Sequence, residues 1–97
     1  MPALPEAEIV RRLAQCPGWA AGAQGLTRTF VRKDFSDALA FVNRIGTIAE
    51  AADHHPEILI HRYKRVTLTL TTHSEHGVTE KDFDLARKID GAAAPSA

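Results

Sequence analysis

Apolar positions along the chain switch between a helical and a strand spacing, and the switches lay out the elements. Ile9 and Leu13, with Val10 beside them, recur at helical spacing after Pro5. Glu6 and Glu8 fall in the first turn, where the macrodipole favours carboxylates, so a first helix is predicted over about residues 5–15. Cys16-Pro17-Gly18 breaks it. Trp19 opens a short segment that ends in Gly22-Ala23-Gln24-Gly25, a turn-like group, and Leu26 to Arg32 then alternate, which predicts a β-hairpin. Asp34 is placed to cap a second helix with Asp37 as its third residue. Phe35, Leu39, Val42, Ile45 or Gly46, and Ala49 supply that helix's apolar face. Gly46 inside it weakens the helix by about 1 kcal/mol relative to Ala, which points to close approach of another backbone.

Pro56 disfavours the α-region for the residue before it, so the second helix should stop near His54 or His55. The β-branched run Glu57 to Arg62 and the period-two run Val66 to His73 form a second hairpin. Val66, Leu68 and Leu70 face the helices, and Thr67, Thr69 and Thr71 face away. His61 is read as a strand residue on a solvated or subunit-facing surface. Ser74 to Gly77 is a loop. Then comes a full helix start: Thr79 as N-cap, Asp82 as its reciprocal partner, Val78 and Phe83 as a hydrophobic staple. Phe83, Ala86 and Ile89 carry a third helix to about Asp90, with Gly91 in the position after the last turn. The order α-β-β-α-β-β-α predicts an α+β fold: a single four-stranded antiparallel sheet with three helices packed on one face. Residues 1–91 are expected as one domain and residues 92–97 as a flexible tail.

Composition narrows the function classes. The 97 residues, 44% hydrophobic, suit one small folded unit whose modest core favours a homodimer or homotetramer. Twelve basic and twelve acidic side chains cancel, which gives no charge-driven attraction to nucleic acid. No apolar stretch approaches the ~20 residues of a membrane span, so no membrane partner is expected. One cysteine, Cys16, and a start without a basic, apolar leader point to the cytoplasm. Cys16 reads as a small buried hydrophobe.

Candidate chemistry gathers at Glu50-Ala51-Ala52-Asp53-His54-His55-Pro56. Imidazole gives or takes a proton near neutrality, and two in a row suggest acid-base work, although such a pair alone is more often a solvated helix end. If the helix reaches His54, Glu50 lies one turn earlier on the same face and can orient that ring. The five histidines do not have familiar zinc spacing, and no metal is expected. His73-Ser74-Glu75-His76 could chelate weakly, but a polar surface loop is preferred for His76. Asp82 is fully explained as a capping carboxylate.

Glu50, His54-His55-Pro56-Glu57, Tyr63, Val66, Leu68, Leu70, Thr72-His73 and Asp82 with Leu85-Ala86 and Ile89 closely resemble the signature of pterin-4a-carbinolamine dehydratases. Gly18-Trp19, Leu26, Arg28, Phe30, Asp34-Phe35, Ala38 and Phe41 resemble that family's N-terminal half. The resemblance implies an α+β fold and dehydration of 4a-hydroxytetrahydropterin to quinonoid dihydropterin in tetrahydrobiopterin recycling. The pterin is the substrate, and neither metal nor other cofactor takes part. It further implies that His54, His55 and His73 are catalytic with Glu50 and Asp82 as acidic companions, and that Asp53, Pro56 and Thr71, Thr72 and Ser74 join the histidines in the pterin pocket. Ile58 stands where the family often has Trp, which implies a smaller apolar wall. The alternative is a non-catalytic dimerisation module acting as a protein partner, as some members of the family are.

Overall fold

The computed structural model describes residues 2–93. Its elements are α1 (Glu6–Leu13), β1 (Ala20–Gly22), β2 (Gly25–Val31), α2 (Phe35–Ala52), β3 (Glu57–His61), β4 (Arg65–Leu70), a 3-10 turn (His73–Glu75) and α3 (Glu80–Ala93). The strands form one antiparallel sheet in the order β1-β2-β4-β3. β4 is therefore central, and its register pairs Leu70 with Leu26, Leu68 with Arg28 and Ile58, and Val66 with Phe30 and Ile60. The period-two pattern of β4 puts Val66, Leu68 and Leu70 on one face, where all three are buried. Against them pack Ala38, Phe41 and Ile45 of α2 and Phe83, Leu85, Ala86 and Ile89 of α3, with Ile9 and Leu13 of α1 at the margin. Each such large apolar side chain contributes roughly 1.5–3 kcal/mol when fully buried. Threonines occupy the opposite face, where Thr29 and Thr67 share a hydrogen bond at 2.7 Å and Thr67 also bonds His61 Nε2 at 2.8 Å.

The apolar stripe of α2 keeps the predicted Ile45 and Ala49 but departs from the predicted one at its start. Ala38, Phe41, Ile45 and Ala49 are buried, whereas Phe35 and Leu39 are exposed. Small alanines let the helix lie close to its neighbours, and that closeness selects the face that carries them. Val10 is likewise exposed rather than part of the α1 face. A Cβ built on Gly46 meets nothing within 4 Å among the described residues, so the expected close approach of another backbone is not found there. α3 does not stop at Gly91: it continues through Ala93, and Ala92 and Ala93 pack against the core, so burial outweighs the helix-ending preference of glycine. The remainder of the predicted tail, residues 94–97, lies outside the described residues. Cys16 is buried. No helix among the described residues is long and apolar enough to cross a membrane.

Helix starts follow the expected chemistry. Asp34 accepts the Asp37 N–H at 2.8 Å. Asp37 reaches back one residue further than a capping box, to the Lys33 N–H at 2.9 Å, and also takes the Arg32 guanidinium at 3.0 Å. These contacts, the Lys33 N–H first and Arg32 second, hold its carboxyl below the usual aspartate range. Glu8, bonded by Arg11 and Arg12, is pulled down to about 2.

Candidate active site

Everything at the site follows from where α2 stops. Asp53 takes a left-handed conformation, φ 50° and ψ 43°, and its N–H closes onto the carbonyls of Ala49 and Glu50. Asp tolerates this region better than most residues, and a left-handed residue followed closely by proline is a common way to end a helix. The helix therefore ends at Ala52, two residues before His54, and both imidazoles leave the helical face. Their partners change accordingly. His54, predicted to pair with Glu50, instead places Nε2 2.6 Å from Asp82 Oδ1. Glu50 Oε1 lies 2.5 Å from His55 Nε2, in a contact whose two side chains are mostly exposed.

Asp82 is fully buried at the start of α3. Its Oδ2 accepts the Thr79 N–H at 2.9 Å, which is the predicted capping bond, and the Thr72 hydroxyl at 2.8 Å. One carboxylate thus caps a helix and anchors a histidine 28 residues away in sequence. The burial of Val78 and Phe83 as a staple and the Thr79 cap fix the position of Asp82. Thr72 is held in turn by paired backbone bonds with Gly77, which close the loop that carries His73.

A cavity of about 250 Å³ opens between these segments, lined by Asp53, His54, His55, Thr71, Thr72, His73, Ser74 and Lys81. It brings together all three expected catalytic histidines and seven of the eight residues expected in the pocket, Pro56 being outside the lining. Glu50 and Asp82 do not line it; each stands behind a histidine that does. His54 is the most shielded ring, its side chain 13% exposed, while His55 and His73 are open to solvent. His61 and His76 lie elsewhere, on the outer sheet face and at an exposed loop residue. Ile58 is absent from this lining and borders a separate groove with Glu57, Leu59, Thr67 and Thr69. Lys81 is the lining residue that sequence reasoning missed; its only signal is its place between Thr79 and Asp82 in the capping segment.

The hydrogen-bond inventory constrains the chemistry. A carboxylate only accepts, so Asp82 with two donors on Oδ2 is suited to take a third, the His54 Nε2–H, on Oδ1. That leaves His54 Nδ1 as the ring's free nitrogen. Among the described residues no group of three or more His, Cys, Asp or Glu side chains could hold a metal ion.

The family model for pterin 4 alpha carbinolamine dehydratase matches residues 2–92. A Chloroflexus aurantiacus relative named for pterin-4-alpha-carbinolamine dehydratase is 53% identical over 90 residues, covering 93% of this chain and 96% of the relative. One from Thermomicrobium roseum with the same name is 51% identical over 89 residues, covering 92% and 95%. The crystal structure of a transcriptional coactivator/pterin dehydratase from Brucella melitensis superposes with a TM-score of 0.87 at 44% identity, covering 95% of this chain and 99% of that one. A pterin dehydratase-like protein described as a RuBisCO assembly factor in the alpha-carboxysome superposes with a TM-score of 0.64 at 20% identity, over 80% and 89% of the two chains, and shares the fold alone.

Proposed function

The chain belongs to the pterin 4 alpha carbinolamine dehydratase family, and from that premise we propose that it dehydrates 4a-hydroxytetrahydropterin to quinonoid dihydropterin by histidine acid-base catalysis, without a metal, in tetrahydrobiopterin recycling. The reaction breaks the C4a–O bond. The departing hydroxyl takes a proton and leaves as water, while N5 loses its proton and its electrons form the C4a=N5 bond, so no oxidant or reductant is needed. A base at N5 and an acid at the hydroxyl are the two requirements, and each positioned group typically contributes ~10²–10⁴-fold.

His54 takes the N5 proton on Nδ1, since its Nε2 is engaged by Asp82. His73, at the start of the 3-10 turn and also lining the cavity, delivers the proton to the hydroxyl. His55, steadied by Glu50, holds the pterin ring. The cavity is slightly smaller than the roughly 300–1,000 Å³ of drug-sized ligand clefts, which suits a compact bicyclic substrate. The observation that carries this reading is the bond from buried Asp82 to half-buried His54 at the wall of a cavity shared by two further imidazoles. The test is the disappearance of freshly generated 4a-hydroxytetrahydropterin with and without chelator-treated protein. Acceleration undiminished by the chelator is expected; a rate equal to the uncatalysed one refutes the enzyme and favours the non-catalytic binding module. Exposed Val31, Phe35, Leu39, Leu59 and Tyr63 support a symmetric homodimer or homotetramer, which sedimentation would detect.

A further inference from the structure

Thr72 lines the cavity, yet its hydroxyl is not available to a ligand. The residue is 5% exposed, and Oγ1 lies 2.8 Å from both Asp82 Oδ2 and Thr79 Oγ1. A threonine hydroxyl has one proton to donate, and Asp82 Oδ2 is an acceptor whether the proton shared with His54 sits on Nε2 or on Oδ1. Thr72 must therefore donate to Asp82, and Thr79 must donate to Thr72. Thr79 Oγ1 in turn accepts the Lys81 N–H at 3.2 Å. Every proton in this buried chain has one direction: Lys81 N–H to Thr79, Thr79 O–H to Thr72, Thr72 O–H to Asp82.

The direction matters at His54. The short Asp82–His54 contact admits two arrangements, with the shared proton on His54 Nε2 beside a carboxylate, or on Asp82 Oδ1 beside a bare Nε2. Two donors on Oδ2, the Thr79 N–H and the Thr72 hydroxyl, stabilise the carboxylate and select the first. We infer that Thr72, supported by Thr79, is a positioning residue that fixes the His54 tautomer with Nε2 protonated and Nδ1 free toward the cavity, rather than a residue that binds the substrate through its hydroxyl. This inference deepens the proposed function and rests on it for the catalytic consequence, but the tautomer itself can be read without turnover.

The test combines ¹⁵N NMR of the His54 ring with kinetics of Thr72→Val and Thr72→Ser. In the native protein, under conditions where the ring is neutral, the proton is expected on Nε2; finding it on Nδ1 overturns the inference without any variant. Thr72→Val should weaken the Nε2–H signature and lower kcat at least about tenfold with KM within about twofold, and Thr72→Ser should restore both. A raised KM with unchanged kcat would mean that Thr72 binds substrate, and an unaltered ring in Thr72→Val would mean that it merely packs; either result overturns the inference. A tautomer that depends on Thr72 in a protein that does not accelerate dehydration would uphold the positioning role and reject the proposed reaction.

Discussion

Replacing Asp82 by Asn separates what the buried carboxylate does for the fold from what it does for His54. Asn keeps the shape and one carbonyl oxygen, which can still accept from the Thr79 N–H and the Thr72 hydroxyl, now at 2.9 and 2.8 Å from Oδ2. Its NH₂ must then face His54 Nε2 and can bond it only if Nε2 carries no proton. The ring is forced into the other tautomer, with Nδ1–H pointing where a base is required. The expected loss is the general-base contribution, ~10²–10⁴-fold in kcat, or about 2.7–5.4 kcal/mol of barrier. Stability should fall less, by roughly 1–3 kcal/mol, because bonds to a charged acceptor (about 1.5–3 kcal/mol) become bonds to a neutral one (about 0.5–1.5 kcal/mol). Asp82→Ala differs in kind: it strands the buried Thr79 N–H and Thr72 hydroxyl at about 1–3 kcal/mol each, a large share of the ~5–15 kcal/mol that holds a domain together. Turnover of the carbinolamine and thermal unfolding, measured on the same preparations, give both quantities. An Asp82→Asn protein that is folded and turns over at the native rate would refute the tautomer argument.

Two further outcomes are expected away from the cavity. Gly46→Ala should stabilise by up to about 1 kcal/mol, visible as a Tm rise of roughly 4–8 °C, because the new methyl meets no neighbour within 4 Å; a fall in Tm would reveal another chain packed there. Asp37 has its carboxyl depressed by the Lys33 N–H and Arg32, so its contribution is present above the unfolded aspartate value and lost as pH falls through the depressed folded one. The Tm difference between native protein and Asp37→Asn should therefore shrink on acidification below the ordinary aspartate range, and a difference constant with pH would contradict this assignment.

Local grammar carried far where all the determinants are neighbours in sequence. The start of α3 is one such case: Val78, Thr79, Asp82 and Phe83 occupy consecutive turns, and the structure reproduces the Thr79–Asp82 bond. The alternation of Val66, Leu68 and Leu70 likewise places the central strand without ambiguity. The histidine partners were not legible in this way. Pairing Glu50 with His54 extrapolated helical geometry past Asp53, whose left-handed backbone turns the chain off that face. The true partner of His54 is 28 residues away and already had a complete local explanation as a cap. The start of the α2 stripe failed for a related reason: size-ranked hydrophobicity favours Phe35 and Leu39, but close packing favours Ala38, and only the assembled core expresses that choice.

The central claim is that the cavity histidines transfer the protons of dehydration, and His54 is the one the fold orients most firmly. Its removal leaves Asp82 bonded to Thr72 and the Thr79 N–H, so the capping bond survives and His54→Ala should remain folded. The most direct measurement is the turnover of freshly generated 4a-hydroxytetrahydropterin by His54→Ala protein shown by thermal unfolding to be native. A fall of at least about tenfold, equivalent to ~1.4 kcal/mol of barrier, is predicted; full turnover by the folded variant would contradict the account.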